Sequence, residues 1–435
     1  MKIQDNIGKI SWSLADKLLF IGYGVVTLFQ VNVLPLNDWA IFGTMLSINI
    51  WIFTIGESFA LNSLIQFGMN LDIRKKVNLI GLVVFIMITV GSSMIIYISR
   101  SEFAMFFHNP RLSLIGSYLP LLILSFIPRS FCLKLIFRDQ KMFHLFLVNL
   151  SYFGTMTIFT IFLIFRNHSL ILEDMITINI LGSLTSSLMA ILLTFNNLVF
   201  GLEGNYRVIN MIKFGAPMIV ITLLHSIPRQ LDVLAIQFFF NTEIVGYYYS
   251  AKTLYRVFDE VINAASGFIY PLTVKYKSNQ DHTELKALMT KSVSFIFFFF
   301  LVIFIFLEFG ISDLIINYFL PIKYQLATKQ FDVLLWSLLF SPFMLLGNVI
   351  LGCGEIKANM TITILSLFIS CIAFTSLYFI NDGNLSPIGL VSYNAAFGIF
   401  SYIFSYKHFG FKPIEIFRVI KDTRNFVNKK FKLTI

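Results

Sequence analysis

The chain is poor in charge: only 13% of its 435 residues are Asp, Glu, Lys or Arg, whereas a soluble globular chain carries about 25%. A soluble domain of this size is thereby excluded. Cysteine is scarce as well. Cys132, Cys353 and Cys371 sit in or beside apolar segments without paired spacing, so neither a disulfide framework nor a metal site is expected, and all three read as packing residues. No GxxxxGK[ST] loop is present to bind a nucleotide, so energy has to come from a gradient or potential. Long polar segments are also missing. A membrane glycosyltransferase or polysaccharide polymerase needs a sizeable outer loop or an acidic sugar-nucleotide motif, and neither is visible, so no catalytic residues and no enzyme activity are expected. The start, "MKIQDNIGKISWSLADKLLF", lacks the short apolar region and small-residue cleavage site of a removable leader. It reads as a retained first span.

What the chain has in excess is apolar surface: 57% hydrophobic residues with 50 Phe and a mean hydropathy of +0.79. Runs of 18 or more apolar residues recur throughout, each long enough to cross a hydrocarbon layer of roughly 30 Å. The alternating segments of about 10 residues that mark an outer-membrane barrel are absent. The fold class is therefore all-α polytopic membrane protein. Hydropathy with breaks at charge clusters predicts twelve spans: 10–34, 39–67, 77–98, 112–133, 142–165, 175–200, 213–239, 245–273, 289–309, 330–352, 358–380 and 386–406. A partial helix fits between the ninth and tenth. On one side of these spans fall 23 Lys and Arg, including Arg74, Lys75, Lys76, Lys134 and Arg138, against five on the other, Arg100, Arg111, Arg166, Lys323 and Lys329. The positive-inside rule then puts both termini in the cytoplasm. The same asymmetry accounts for the net charge of +10 without any nucleic-acid partner, and the basic tail at 408–435 reads as a cytoplasmic segment facing membrane lipid.

Sliding the chain by 206 residues superimposes the first outer turn, "LPLNDWAIF", on "FNTEIVGYY", with Ala40 on Gly246 and Phe42 on Tyr248. The first six spans then map onto the last six in the same orientation. This predicts two six-helix lobes, 1–205 and 206–407, related by a pseudo-two-fold along the membrane normal.

The stretches "LPLNDWAIFGTMLSINIWIFTIGESFALNSLIQFG" and "KFGAPMIVITLLHSIPRQLDVLAIQFFFNTEIVGYYYSAKTLYRVFDEVINAASGFIYPLTVKY" resemble the polysaccharide biosynthesis transporters. These are the Wzx-type flippases for lipid-linked oligosaccharides, within the multidrug/oligosaccharidyl-lipid/polysaccharide exporter superfamily. The matching marks are a Pro and acidic outer turn, FG-x-P with an Asp ten to fifteen residues on, VG-x-Y-x-x-A, and a Pro closing span eight. Ala40 stands where the family usually has Gly. The resemblance implies a central cavity, alternating access, and transport of undecaprenyl-diphosphate-linked sugars, such as O-antigen repeat units of lipopolysaccharide, across the bacterial inner membrane. It also implies a polysaccharide polymerase and chain-length proteins as partners. A multidrug or cation antiporter of the same superfamily is the alternative.

A charge at mid-bilayer costs at least about 2.5 kcal/mol, so the charges inside spans have to face a cavity, a partner or an end. They are Asp16 and Lys17 in span one, Glu57 in span two, Arg129 in span four, Arg229 and Asp232 in span seven, and Lys252, Arg256, Asp259 and Glu260 in span eight. Arg229 and Arg256 both come about 15 Å from the outer end of their spans. Arg129 is expected close enough to the cytoplasmic end to snorkel. Lys252, Arg256, Asp259 and Asn263 recur at helical spacing, which makes one face, flanked by Tyr248 and Tyr255. Under the 206-residue offset Asn263 coincides with Glu57. Arg229, Arg256 and Lys252 are the expected grip on the diphosphate, Arg in bidentate fashion and Lys as a point charge, with Arg129 and Lys17 contributing to the cationic cavity. Asp16, Glu57, Asp232, Asp259 and Glu260 are expected either to hold those cations while the site is empty or to bind a coupling proton or sodium ion; no other cofactor is expected. The competing reading is a set of internal salt bridges, Arg229 with Asp232 and Arg256 with Asp259 or Glu260, that only fix packing. Pro217, Pro228 and Pro271 are expected to kink their helices, and His144 and His225 to serve packing or hydrogen bonding.

Overall fold

The structure is a computed structural model and describes residues 7–167 and 169–411. Lys2 and the basic tail from residue 412 onward lie outside the described residues. Helix dominates because a chain in lipid has to satisfy its backbone polar groups internally, and among the described residues there is no strand. Twelve helical rods follow one another. They are α1 (Ile7–Val33), α2 (Leu36–Phe67), α3 (Leu71–Ile98), α4 (Pro110–Arg138), α5 (Met142–Asn167) and α6 (Leu172–Thr194). Then come α7 (Val208–Gln230), α8 (Thr242–Ser278), α9 (His282–Phe319), α10 (Ala327–Leu335 with Ser337–Gly352, bent by 46°), α11 (Ile356–Ile380) and α12 (Ile388–Phe409). The predicted spans fall largely on one rod each, except that the seventh, 213–239, runs from α7 into a second helix, Asp232–Phe239. Among the described residues ten of the rods, counting the bent α10, are long and apolar enough to cross a membrane, and α1 and α8 are the two that are not.

Four boundaries differ from the hydropathy reading for physical reasons. Helix α8 has 37 residues and runs through Pro271 to Ser278, because a proline removes one backbone bond without having to end a helix whose neighbours hold it. Helix α4 continues to Arg138, beyond the last strongly apolar residue, because Lys134 and Arg138 find partners. Helix α9 carries a π turn, Leu307–Ile311, broken by Gly310 at φ +96°, and resumes as Ser312–Phe319. That resumption is the partial helix expected there. In α7 the break comes after Pro228, not at it: the helix stops at Gln230, and a short helix, Asp232–Phe239, restarts with the Asp232 carboxylate accepting the Val233 N–H at 2.8 Å.

Helices α2 and α8 begin 206 residues apart, at Leu36 and Thr242, the offset read from their outer turns. Packing divides the chain between Tyr249 and Ser250, within α8. In the first unit α2 is the central rod, 72% of its apolar window buried, against 17% for α5. Asp38, in the first turn of α2, accepts from the Arg111 guanidinium at 2.6 Å and from the Leu172 N–H at 3.3 Å, tying three helix hairpins at one end. Small polar side chains join the rods, as expected where lipid gives no hydrophobic drive between helices. Thr185 of α6 meets Thr155 of α5 at 2.9 Å, and Gln30 of α1 meets Thr160 of α5 at 2.8 Å. The second unit uses the same device: Ser370 of α11 donates to the Gly389 carbonyl of α12 at 2.7 Å, and Asn359 to the Gly347 carbonyl of α10 at 3.0 Å.

Candidate functional site

In the first unit Arg129 and Asp16 are linked through a third rod. Arg129 lies nine residues inside the end of α4 at Arg138, about 13 Å at 1.5 Å per residue. Its expected snorkelling is thus replaced by inward contacts. Its guanidinium donates to Asn149 Oδ1 of α5 at 2.6 Å, and Asn149 Nδ2 donates to Asp16 Oδ1 of α1, also at 2.6 Å. A neutral amide therefore bridges the cation and the acid. The guanidinium carbon lies 4.6 Å from the ring centre of Tyr152 and 5.9 Å from that of Phe126, a cation–π setting. Its Nε is buried without a hydrogen-bond partner.

Local sequence builds this geometry. Asn149 and Tyr152, three apart in "FLVNLSYFG", share one face of α5, and Tyr152 donates on to Asn179 Oδ1 of α6 at 3.3 Å. Pro128 interrupts the helical bonding of α4 just before Arg129. There Ser187 of α6 donates to the Ser125 carbonyl at 2.8 Å and accepts from the Arg129 N–H at 3.2 Å.

Glu57 opens a π turn, Glu57–Leu61, in α2. The turn packs so closely on α7 that a Cβ at Gly215 would strike the Phe59 carbonyl. The direct partner of Glu57 is Lys134 of α4, at 2.8 Å, and Lys134 also donates to Asn62 Oδ1 at 3.3 Å. Glu57 and Asp16 are the acids whose charge Arg129 feels. Lys17 is exposed and adds its charge beside Asp16. Asp232 is buried and accepts from the Tyr248 hydroxyl, while Arg229, just before the break in α7, is half-buried.

In the second unit the α8 stripe is graded. Lys252 and Tyr255 are buried, Arg256, Asp259 and Glu260 half-buried, and Asn263 exposed. Tyr255 lies 3.4 Å from Ser341 of α10, and Asn263 donates to Glu260 on its own helix at 3.4 Å. Glu57 and Asn263, equivalent under the offset, thus differ in setting: one opens a π turn, while the other sits in regular helix.

Sequence reasoning passed over Asn149, Tyr152, Asn179 and Lys134. The first carried a legible signal, a lone amide within a run of apolar residues. Lys134 was read only as a cytoplasmic-side charge, because its tie to Glu57 spans more than seventy positions of chain.

A family profile described as "Polysaccharide biosynthesis protein" matches residues 42–329. No curated protein matches the chain. Among solved structures, an inward-facing multidrug resistance MATE family transporter of the MOP superfamily has a TM-score of 0.75 at 15% identity, over 92% of this chain and 94% of that one. "Lipid II flippase MurJ, inward closed conformation" has a TM-score of 0.70 at 15% identity, over 98% and 94%. A MOP superfamily transporter from Pyrococcus furiosus, whose structure is described as having a binding pocket of reverse polarity, scores 0.58 at 15% identity over 92% of both chains. The fold is that of this transporter superfamily.

Proposed function

Since the chain belongs to the polysaccharide biosynthesis protein family, we propose that it is a flippase. It moves an undecaprenyl-diphosphate-linked oligosaccharide, an O-antigen or similar surface repeat unit, from the cytoplasmic to the outer leaflet of the bacterial inner membrane. Both termini are cytoplasmic, the two six-helix lobes alternate access, and no bond of the substrate is made or broken, so the protein is not an enzyme.

One observation carries this reading: the cation of Arg129, deep in a spanning helix, is met at 2.6 Å by a neutral amide, with one guanidinium nitrogen buried and without a partner. A deep cation that keeps its charge favours an anionic ligand, and a diphosphate supplies one. The same guanidinium works against the antiporter alternative, since its charge stands one amide away from Asp16 and repels a cationic drug from that acid. Arg229, Arg256 and Lys252 complete the cationic set, Lys17 stands at its edge, and Asp232, Asp259 and Glu260 serve as charge partners or coupling acids. A proton or sodium gradient drives the cycle.

The test is surface polysaccharide assembly in a strain whose own copy is replaced by Arg129→Gln or Arg256→Gln. Assembly is expected to fall sharply with membrane protein levels unchanged. Normal assembly in both variants would remove the arginines from the site, and a drug-export phenotype in their place would turn the reading to the antiporter.

A further inference from the structure

The Lys134–Glu57 pair does more than join α2 to α4. Its Nζ–Oε2 distance is 2.8 Å, yet the side chains keep 18% and 31% of their exposure, so the pair opens without the desolvation cost of a buried ion pair. A pair of this kind contributes little stability. The backbone beneath it is nonetheless costly and specific. Glu57 is the first residue of a π turn, a rare irregularity found mostly at functional sites, and Gly215 of α7 lets that turn approach to contact. Lys134 has three N–H donors, of which Glu57 and Asn62 take two. One donor is left over, so the ammonium is fixed in place and still open.

Lys134 also lies five residues from Arg129 towards the end of α4, a rise of about 7.5 Å, and Glu57 acts electrostatically on both cations.

We infer that Lys134 is an anion-binding residue occupied in the empty protein by Glu57, and that a phosphate oxygen of an isoprenyl diphosphate displaces the Glu57 carboxylate from it. The inference rests on the flippase reading and adds two things: a residue that grips the headgroup on its way to Arg129, and an acid that competes with the headgroup. Exchange of one oxygen anion for another leaves the ammonium paired throughout, and the displaced Glu57 carboxylate keeps access to solvent through its 31% exposure. Glu57 sets a threshold for occupancy, since only a ligand with more negative charge than one carboxylate wins the exchange.

The test uses the full chain in a neutral detergent with farnesyl diphosphate as probe and farnesol and inorganic pyrophosphate as controls. Binding is read by calorimetry and folding by thermal unfolding. Glu57→Gln keeps a hydrogen-bond acceptor for Lys134 but loses the competing charge, and is expected to bind farnesyl diphosphate about tenfold more tightly, the equivalent of one charge-assisted hydrogen bond. Lys134→Gln is expected to bind about tenfold more weakly, and the double variant to match Lys134→Gln, because Glu57 acts through Lys134. Competition by pyrophosphate, but not by farnesol, assigns the effect to the anion. Unchanged affinity in folded Glu57→Gln, or an equal gain with Lys134 already removed, overturns the inference. If Lys134→Gln does not fold, Glu57→Gln decides alone. Wild-type protein that binds farnesyl diphosphate no better than farnesol overturns the flippase reading itself, whereas wild-type binding with both single variants unchanged overturns only the exchange.

Discussion

Around Arg129 the protein meets an intramembrane charge with a relay across four helices: guanidinium to Asn149, Asn149 to Asp16, and Tyr152 leading on to Asn179. On α8 the polar contacts described are separate pairs, Tyr248 to Asp232, Asn263 to Glu260 one turn away and Tyr255 to Ser341 of α10. The relay fixes a cation at one place, because each bridging group is itself held from a second helix. The stripe grades from buried Lys252 to exposed Asn263 and spreads its charges over several turns. A fixed cation suits recognition of a headgroup. A graded stripe suits a path along which charge is handed on.

Removing the bridging amide would break this contrast most severely. Asn149→Leu takes a charge-assisted hydrogen bond from the guanidinium and another from the Asp16 carboxylate, at about 1.5 to 3 kcal/mol each. Ser341→Ala removes one interhelical hydroxyl contact, about 0.6 kcal/mol. Thermal unfolding in detergent should show Asn149→Leu far below Ser341→Ala, and equal losses would mean that the relay is no more demanding than the stripe. The next effect tests backbone against side chain. A Cβ at Gly215 meets the Phe59 carbonyl, and one at Gly389 meets the Phe374 ring. Both alanine substitutions overpack, at about 1 to 3 kcal/mol. The unfolding temperature should fall further for Gly215→Ala, since a ring can turn aside and a π-turn carbonyl cannot.

The legibility of the sequence divides along the same line. Twelve rods could be read because each satisfies its own backbone and each needs an apolar run, information local to the segment. The offset between Leu36 and Thr242 could be read because outer turns are short. What escaped depends on contact between distant segments. Glu57 was recognised as a charge out of place, but its partner was invisible, because hydropathy assigns Lys134 to the aqueous end of its helix while packing brings it under the π turn. Arg129 was placed too near that end for the same reason: apolar character stops at residue 133, while the helix runs to Arg138 because Asn78 and Asp139 take the terminal guanidinium, at 3.1 and 3.0 Å.

Smaller effects sharpen the comparison at its edges. Arg111→Gln removes the charge that Asp38 meets at 2.6 Å, but half the arginine side chain is exposed, so the loss should be only about 0.2 to 1 kcal/mol and should shrink with added salt. The Leu172 N–H still holds the other Asp38 oxygen. An unfolding temperature independent of salt would show that Arg111 acts by packing instead of charge.

The smallest effect is expected in the turn between α8 and α9. There Asp281 accepts the Glu284 N–H at 3.1 Å and the Thr283 hydroxyl at 2.8 Å, and these bonds, the backbone one first, hold its carboxyl below the ordinary value of 3.8. A carboxyl with a depressed folded value stabilises the fold above the unfolded value and loses that contribution as pH falls through the folded one. Wild-type protein should therefore exceed Asp281→Ala slightly in unfolding temperature at neutral pH, with the gap closing only below pH 3.8. A gap that closed already between pH 7 and 5 would show that the Asp281 carboxyl is not the group that sets it.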